Sequence, residues 1–211
     1  CKRHDLNRTQ RLALFAKVCN GVQHAHQKGI IHRDLKPANV LVRLVDGVAM
    51  PKIIDFGIAI GGVAEGGAVA AHATATDQAG TAIYMSPEQA VRQPRDLDTR
   101  SDVYSLGVML YEVLTDADAA ALTSVVHASR RAPHETLLAA IDSDADVGVA
   151  PAPDAFLDAA RRLPQELRAI LRKALAADRD ERYDSAAALA DDLERHRQRR
   201  PIKAMPQTRR Y

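Results

Sequence analysis

No apolar run in this chain of 211 residues approaches a membrane span. A helix that crosses a bilayer needs roughly 20 consecutive apolar residues, and no signal-peptide pattern is visible either. Cysteine is scarce: Cys1 and Cys19 are the two present, without metal-ligand spacing or a disulfide framework. Cys19 falls on the apolar stripe of an expected helix and reads as a buried, reduced thiol. An excess of one charge is also missing. Lys and Arg number 29 against 27 Asp and Glu, a formal net charge of +2, so no whole-chain field attracts nucleic acid. Basic residues do gather at the C-terminal end (Arg195, Arg197, Arg199, Arg200, Lys203, Arg209, Arg210), but without interleaved aromatics, which argues for a linker rather than a nucleic-acid surface. These absences point to a reducing, cytosolic setting, with any membrane anchor outside this stretch.

What is present suits one buried core, with 46% hydrophobic and 27% charged residues. Leu12, Phe15, Val18, Cys19, Val22 and Ala25 recur at helical spacing within 7–28, and Gly29 follows as a stop signal. Two β-branched runs, 40–44 and 52–54, flank Asp46-Gly47 and predict a hairpin. Residues 58–79, rich in Gly, Ala, Thr and His, show no periodicity and read as a loop. Residues 100–115 are apolar around most of a helix and so are expected to be buried. Residues 116–160 give no assignable pattern. Helices are expected at about 164–177 and 184–198, the first with Pro164 in its first turn and the second starting at Asp184-Ser185. The fold class is mainly α with a small β hairpin, and no internal repeat is apparent.

Two motifs carry chemistry. Residues 32–42 read HRDLKPANVLV and residues 51–57 read PKIIDFG. Phosphoryl transfer from a nucleotide needs a carboxylate to orient the attacking hydroxyl, a cation on the moving phosphate, and oxygen ligands for magnesium. Asp34, Lys36, Asn39 and Asp55 are residues of those types, in that order. With GTAIYMSPEQA (80–90) and RYDSAAALADDL (182–193), they make residues 1–198 resemble the C-terminal lobe of a eukaryotic-type protein kinase, of the bacterial Ser/Thr kind.

The resemblance implies ATP and Mg2+ as cofactors and protein Ser/Thr hydroxyls as substrates, the latter because Lys36 stands where tyrosine kinases differ. It makes Asp34 the catalytic base, Lys36 the cation at the γ-phosphate, and Asn39 and Asp55 the magnesium ligands. Thr81 would contact Asp34 and Lys36. His32 would pack beside Phe56, with Gly57 completing the Asp-Phe-Gly turn. Arg33 would receive a phosphorylated loop, for which Thr74 and Thr76 are candidate sites. Glu88 would form a buried ion pair with Arg182, and Asp102 would accept backbone N–H groups of the catalytic turn. His24 and His26, two positions apart, do not share a helix face and are no metal pair.

The family's Gly-rich loop, its strand lysine in a VAIK-like context, and the glutamate that partners that lysine do not occur in the chain. After Thr115 the chain reads DADAAALTSV, where the family continues with Gly and then Pro-Phe. The expectation is therefore a piece of a longer protein, its small lobe upstream of Cys1 and a basic linker at 199–211. A silent, pseudokinase-like binding module is the alternative, although such modules usually lack one of the two aspartates kept here.

Overall fold

The computed structural model describes residues 6–46, 48–56, 82–90, 98–116, 122–123, 133–141 and 159–205. These residues form a mainly helical body with one two-stranded antiparallel sheet. Helix α1 (Arg8–Gln27) starts at a capping box in which Asn7 and Gln10 satisfy each other's backbone N–H groups. It ends with Lys28 as cap and Gly29 at φ +74°, a left-handed conformation that glycine adopts without a Cβ clash. Its apolar stripe, Leu12, Phe15, Val18, Cys19 and Val22, is buried.

After a 3-10 turn (Pro37–Asn39) come β1 (Val40–Val45) and β2 (Val48–Ile53). The register pairs Val40 with Ile53 and Val45 with Val48. The second strand begins earlier than its β-branched run predicts, because backbone pairing with β1 carries Val48 to Met50 into the ladder. The inner end of the hairpin, Val40 and Ile53, packs on the core, whereas Leu41, Val42, Leu44, Val45, Val48 and Met50 are exposed.

A short helix α2 (Pro87–Ala90) precedes the central helix α3 (Thr99–Thr115), which Asp98 caps by accepting the Arg100 N–H. Residues Ser101–Tyr111 of α3 are all buried, as the pattern predicted, because α1, α5 (Gln165–Ala174) and α6 (Ala186–Arg197) surround it. Gly107 permits a close approach: a Cβ there would meet the Ala174 Cβ at 3.0 Å and Leu175 Cδ2 at 3.1 Å. Within 116–160, which gave no sequence assignment, α4 (Pro133–Ile141) packs on α5.

The terminal helices differ from expectation at their ends. Pro164 is the N-cap of α5 rather than a first-turn residue. That helix stops at Ala174, and the carbonyls of Ala176 and Ala177 turn instead to Arg182. Ser185 caps α6 and accepts the Ala188 N–H, while the Gln23 side chain of α1 accepts the Ala187 N–H. Packing also continues past residue 198. Ile202 is buried, and the Asp192 carboxylate accepts N–H bonds from Lys203 at 2.7 Å and Ala204 at 2.8 Å. The expected loop 58–79 lies outside the described residues. Among the described residues, no helix is long and apolar enough to cross a membrane.

Candidate active site

Asp34 stands on the turn between α1 and the hairpin. Its Oδ2 lies 3.0 Å from Lys36 Nζ and 3.3 Å from Asn39 Nδ2. Asn39 Nδ2 also donates to the Asp34 carbonyl at 2.7 Å. The carboxylate is about one third exposed (34%), so it keeps an open side while its position is held. Six residues of local chain bring these three groups together, because the 3-10 turn at Pro37–Asn39 folds Asn39 back onto Asp34.

The hairpin adds Asp55. Ile54 donates its N–H to the Asn39 carbonyl at 3.0 Å, extending the ladder by one bond, so Asn39 and Asp55 lie at the same end of the sheet. Asp55 is exposed and sits at φ +55°, a region that Asp tolerates better than most residues. Because Asn39 uses its amide nitrogen on Asp34, its amide oxygen faces away from that carboxylate. The site thus offers hard oxygen donors from one amide and one carboxylate. Among the described residues no group of three or more His, Cys, Asp and Glu could hold a metal. Amide and carboxylate oxygens are the donor types that suit magnesium, which takes one or two protein oxygens and completes its shell with phosphate and water.

His32 fastens the two motifs to each other. Its Nε2 donates to the Ile54 carbonyl at 2.9 Å, and its ring lies 4.8 Å from that of Phe56. A carbonyl can only accept, so Nε2 carries the proton and Nδ1 is left to accept the Asp34 N–H, at a long 3.4 Å. Beneath the turn, Asp102 is fully buried. Its Oδ2 accepts the His32 N–H at 2.8 Å and its Oδ1 the Arg33 N–H at 2.9 Å. Arg33 itself is at φ +66°.

Two contacts of this turn escaped the sequence reading. His26 Nε2 lies 2.7 Å from Asp102 Oδ2, with only 3% of the His26 side chain exposed. Gln89 Nε2 donates to the Arg33 carbonyl at 2.8 Å. A helical histidine eight positions before Asp34 is a signal only once α3 is known to pass behind the turn. Gln89 carried no signal beyond its place in SPEQA.

Glu88 and Arg182 pair through Nη1–Oε1 at 2.7 Å and Nη2–Oε2 at 2.8 Å. Arg182 further donates to the carbonyls of Ala176, Ala177 and Arg100, so all five of its N–H groups are engaged. Burial would push the Glu88 carboxyl up, but hydrogen bonds from Arg182, the backbone and Ser101, with the guanidinium charge, hold it at about 2. Gly57, Thr74, Thr76 and Thr81 lie outside the described residues.

The protein kinase domain family model matches residues 2–193. Over 182 residues the chain is 37% identical to the serine/threonine-protein kinase PknB of Mycolicibacterium smegmatis, covering 86% of this chain and 25% of that protein. Against PknB of Mycobacterium tuberculosis it is 36% identical over 195 residues, 92% of this chain and 27% of the relative. Against the serine/threonine-protein kinase PknD of Chlamydia caviae it is 33% identical over 202 residues, 90% of this chain and 19% of the relative. The chain therefore spans about a quarter or less of the length of these relatives. With a family match across nearly its whole length, the chain belongs to the protein kinase domain family.

Proposed function

We propose that the protein containing this chain transfers the γ-phosphoryl group of ATP to serine or threonine hydroxyls of proteins. The observation that carries this reading is the Asp34 carboxylate, partly open, held between Lys36 Nζ at 3.0 Å and Asn39 Nδ2 at 3.3 Å. Asp34 accepts the proton of the substrate hydroxyl as that oxygen bonds to the γ-phosphorus. The bond from the γ-phosphorus to the bridging oxygen breaks, and ADP leaves. Lys36 offsets charge that grows on the transferring oxygens. Asn39 and Asp55 would hold magnesium, which when bound neutralises phosphate charge. In this reading Thr81 would contact Asp34 and Lys36, and Arg33 would receive phosphate on Thr74 or Thr76 once either is modified.

Lys36 and the relatives' names support Ser/Thr over Tyr as the acceptor class. The nucleotide's phosphate clamp belongs, in this reading, to a small lobe upstream. The exposed apolar residues Leu41, Val42, Leu44, Val48 and Met50 on the hairpin support a covering partner of that kind. This chain alone would then bind Mg-ATP weakly and turn over negligibly, since catalysis here is mostly positioning.

The test is Asp34→Asn in the full-length protein, followed by radiolabel transfer to a basic protein and to itself. A loss of about 100-fold or more is expected. Undiminished transfer would mean that Asp34 is not the base. Absence of transfer from wild type, with a Gly-rich loop and strand lysine present upstream, would favour a silent binding module.

A further inference from the structure

We propose that Gln89 is a positioning residue for Asp34, acting through the Arg33–Asp34 peptide; the inference rests on the phosphoryl-transfer reading above. Arg33 sits at φ +66°, in the left-handed region. A non-glycine residue held there is strained and persists only where its surroundings over-determine it. Its Nε does not supply that, being buried with no hydrogen-bond partner among the described residues. Two contacts do. The Arg33 N–H donates to Asp102 Oδ1 at 2.9 Å, and the Arg33 carbonyl accepts from Gln89 Nε2 at 2.8 Å.

The second contact matters more for Asp34. The Arg33 carbonyl belongs to the peptide plane that leads directly into Asp34. On the other edge of that plane the Asp34 N–H reaches His32 Nδ1 only at 3.4 Å. Gln89 is thus the short anchor of the plane from which the Asp34 side chain is aimed. Rotation of that plane swings the Asp34 Cβ away from its setting between Lys36 and Asn39.

Gln89 is itself held in one orientation. Its Oε1 accepts both the N–H and the hydroxyl of Ser86, each at 3.0 Å. A backbone N–H can only donate and a carbonyl can only accept, so the two ends of the amide cannot exchange. Ser86 is fully buried, and the intervening Glu88 is locked to Arg182. The segment 86–89 is therefore a strut from the helical body to the catalytic turn, with the Gln89 amide as its tip.

Gln89→Glu separates the two ends of that amide. It keeps an oxygen for Ser86 but sets a second oxygen, in place of an N–H donor, against the Arg33 carbonyl. Protonation of the new acid returns an O–H donor. In the full-length protein, kcat of Gln89→Glu is expected to fall about tenfold or more at neutral pH, with the KM for ATP changed by less than about twofold. The ratio of its kcat to wild type should climb as pH falls toward the carboxyl range. Gln89→Leu should lose kcat equally without that recovery.

An unchanged kcat in Gln89→Glu, or a deficit constant with pH, overturns the role. Asp34→Asn run alongside separates the two claims. Full transfer by Asp34→Asn sinks the phosphoryl-transfer reading and this inference with it, whereas loss there with normal Gln89 variants sinks only the inference. Where no transfer is measurable at all, the Arg33 carbonyl 13C resonance decides. It should move upfield in Gln89→Leu as the donor is lost, together with the Asp34 carboxyl resonance, and unchanged shifts overturn the proposal.

Discussion

Arg182 and Glu88 stand 94 positions apart in the chain and meet through two parallel bonds of 2.7 and 2.8 Å. The guanidinium is buried, capped by three carbonyls, with its carbon 5.3 Å from the centre of the Tyr104 ring. Removing the carboxylate would leave that charge uncompensated, so Glu88→Ala should cost about 3–5 kcal/mol at pH 7. The pH dependence has a definite sign. The folded Glu88 carboxyl is held at about 2 against an ordinary 4.5. A lowered folded value stabilises the fold fully above the unfolded value, and that contribution is lost as pH falls through about 2. Urea unfolding of wild type and Glu88→Ala at pH 7, 4 and 2.5 should show the gap narrowing by about 3 kcal/mol. A gap constant with pH would assign the pair no linked protonation.

Asp102 serves three donors, the backbone N–H groups of His32 and Arg33 and the ring of His26. Asn at this position keeps one acceptor and turns an NH2 toward a donor. Asp102→Asn should destabilise by about 2–4 kcal/mol, as expected when buried donors lose partners. It should also lower transfer activity by loosening the turn. Denaturant unfolding and turnover measured on one preparation check both, and a native-like variant would remove Asp102 from the support of the turn.

Gly107 lies where α3 meets the end of α5, with the Ala174 Cβ only 3.0 Å from where its own would stand. Gly107→Val should therefore cost about 1–3 kcal/mol by overpacking. The measurement is the midpoint of chemical unfolding. A more stable variant would show that the two helices separate freely.

The chain after α6 is held by Asp192, which accepts the Tyr183 hydroxyl at 2.9 Å as well as the two backbone N–H groups. Truncation after Gln198 strips Asp192 of both N–H partners and uncovers the surface beneath Ile202. A loss of about 2–4 kcal/mol relative to a chain ending at Met205 is expected. Equal melting temperatures for the two lengths would make residues 201–205 a passive linker.

What could be read in the residues was local. Asp34, Lys36 and Asn39 fall within one turn of chain, so their order alone brings their side chains together. Helix α1 and the buried α3 announce themselves by apolar periodicity, because each must bury a face whatever its neighbours are. The same reasoning gave the hairpin but not the full length of β2, since pairing with β1 rather than its own β propensity draws in Val48 to Met50. Tertiary structure alone decided the rest. His26 meets Asp102 across 76 positions, and Gln89 reaches Arg33 across 56. Neither contact leaves a periodicity or a spacing in the sequence. Each depends on the direction in which one side chain leaves a packed element, and that direction exists only after the helices have docked. The ends of α5 and of the packed body follow the same logic: the carbonyls of Ala176 and Ala177 answer to Arg182, and residues 203–204 answer to Asp192. Buried charge must be satisfied by whatever backbone the fold brings near it.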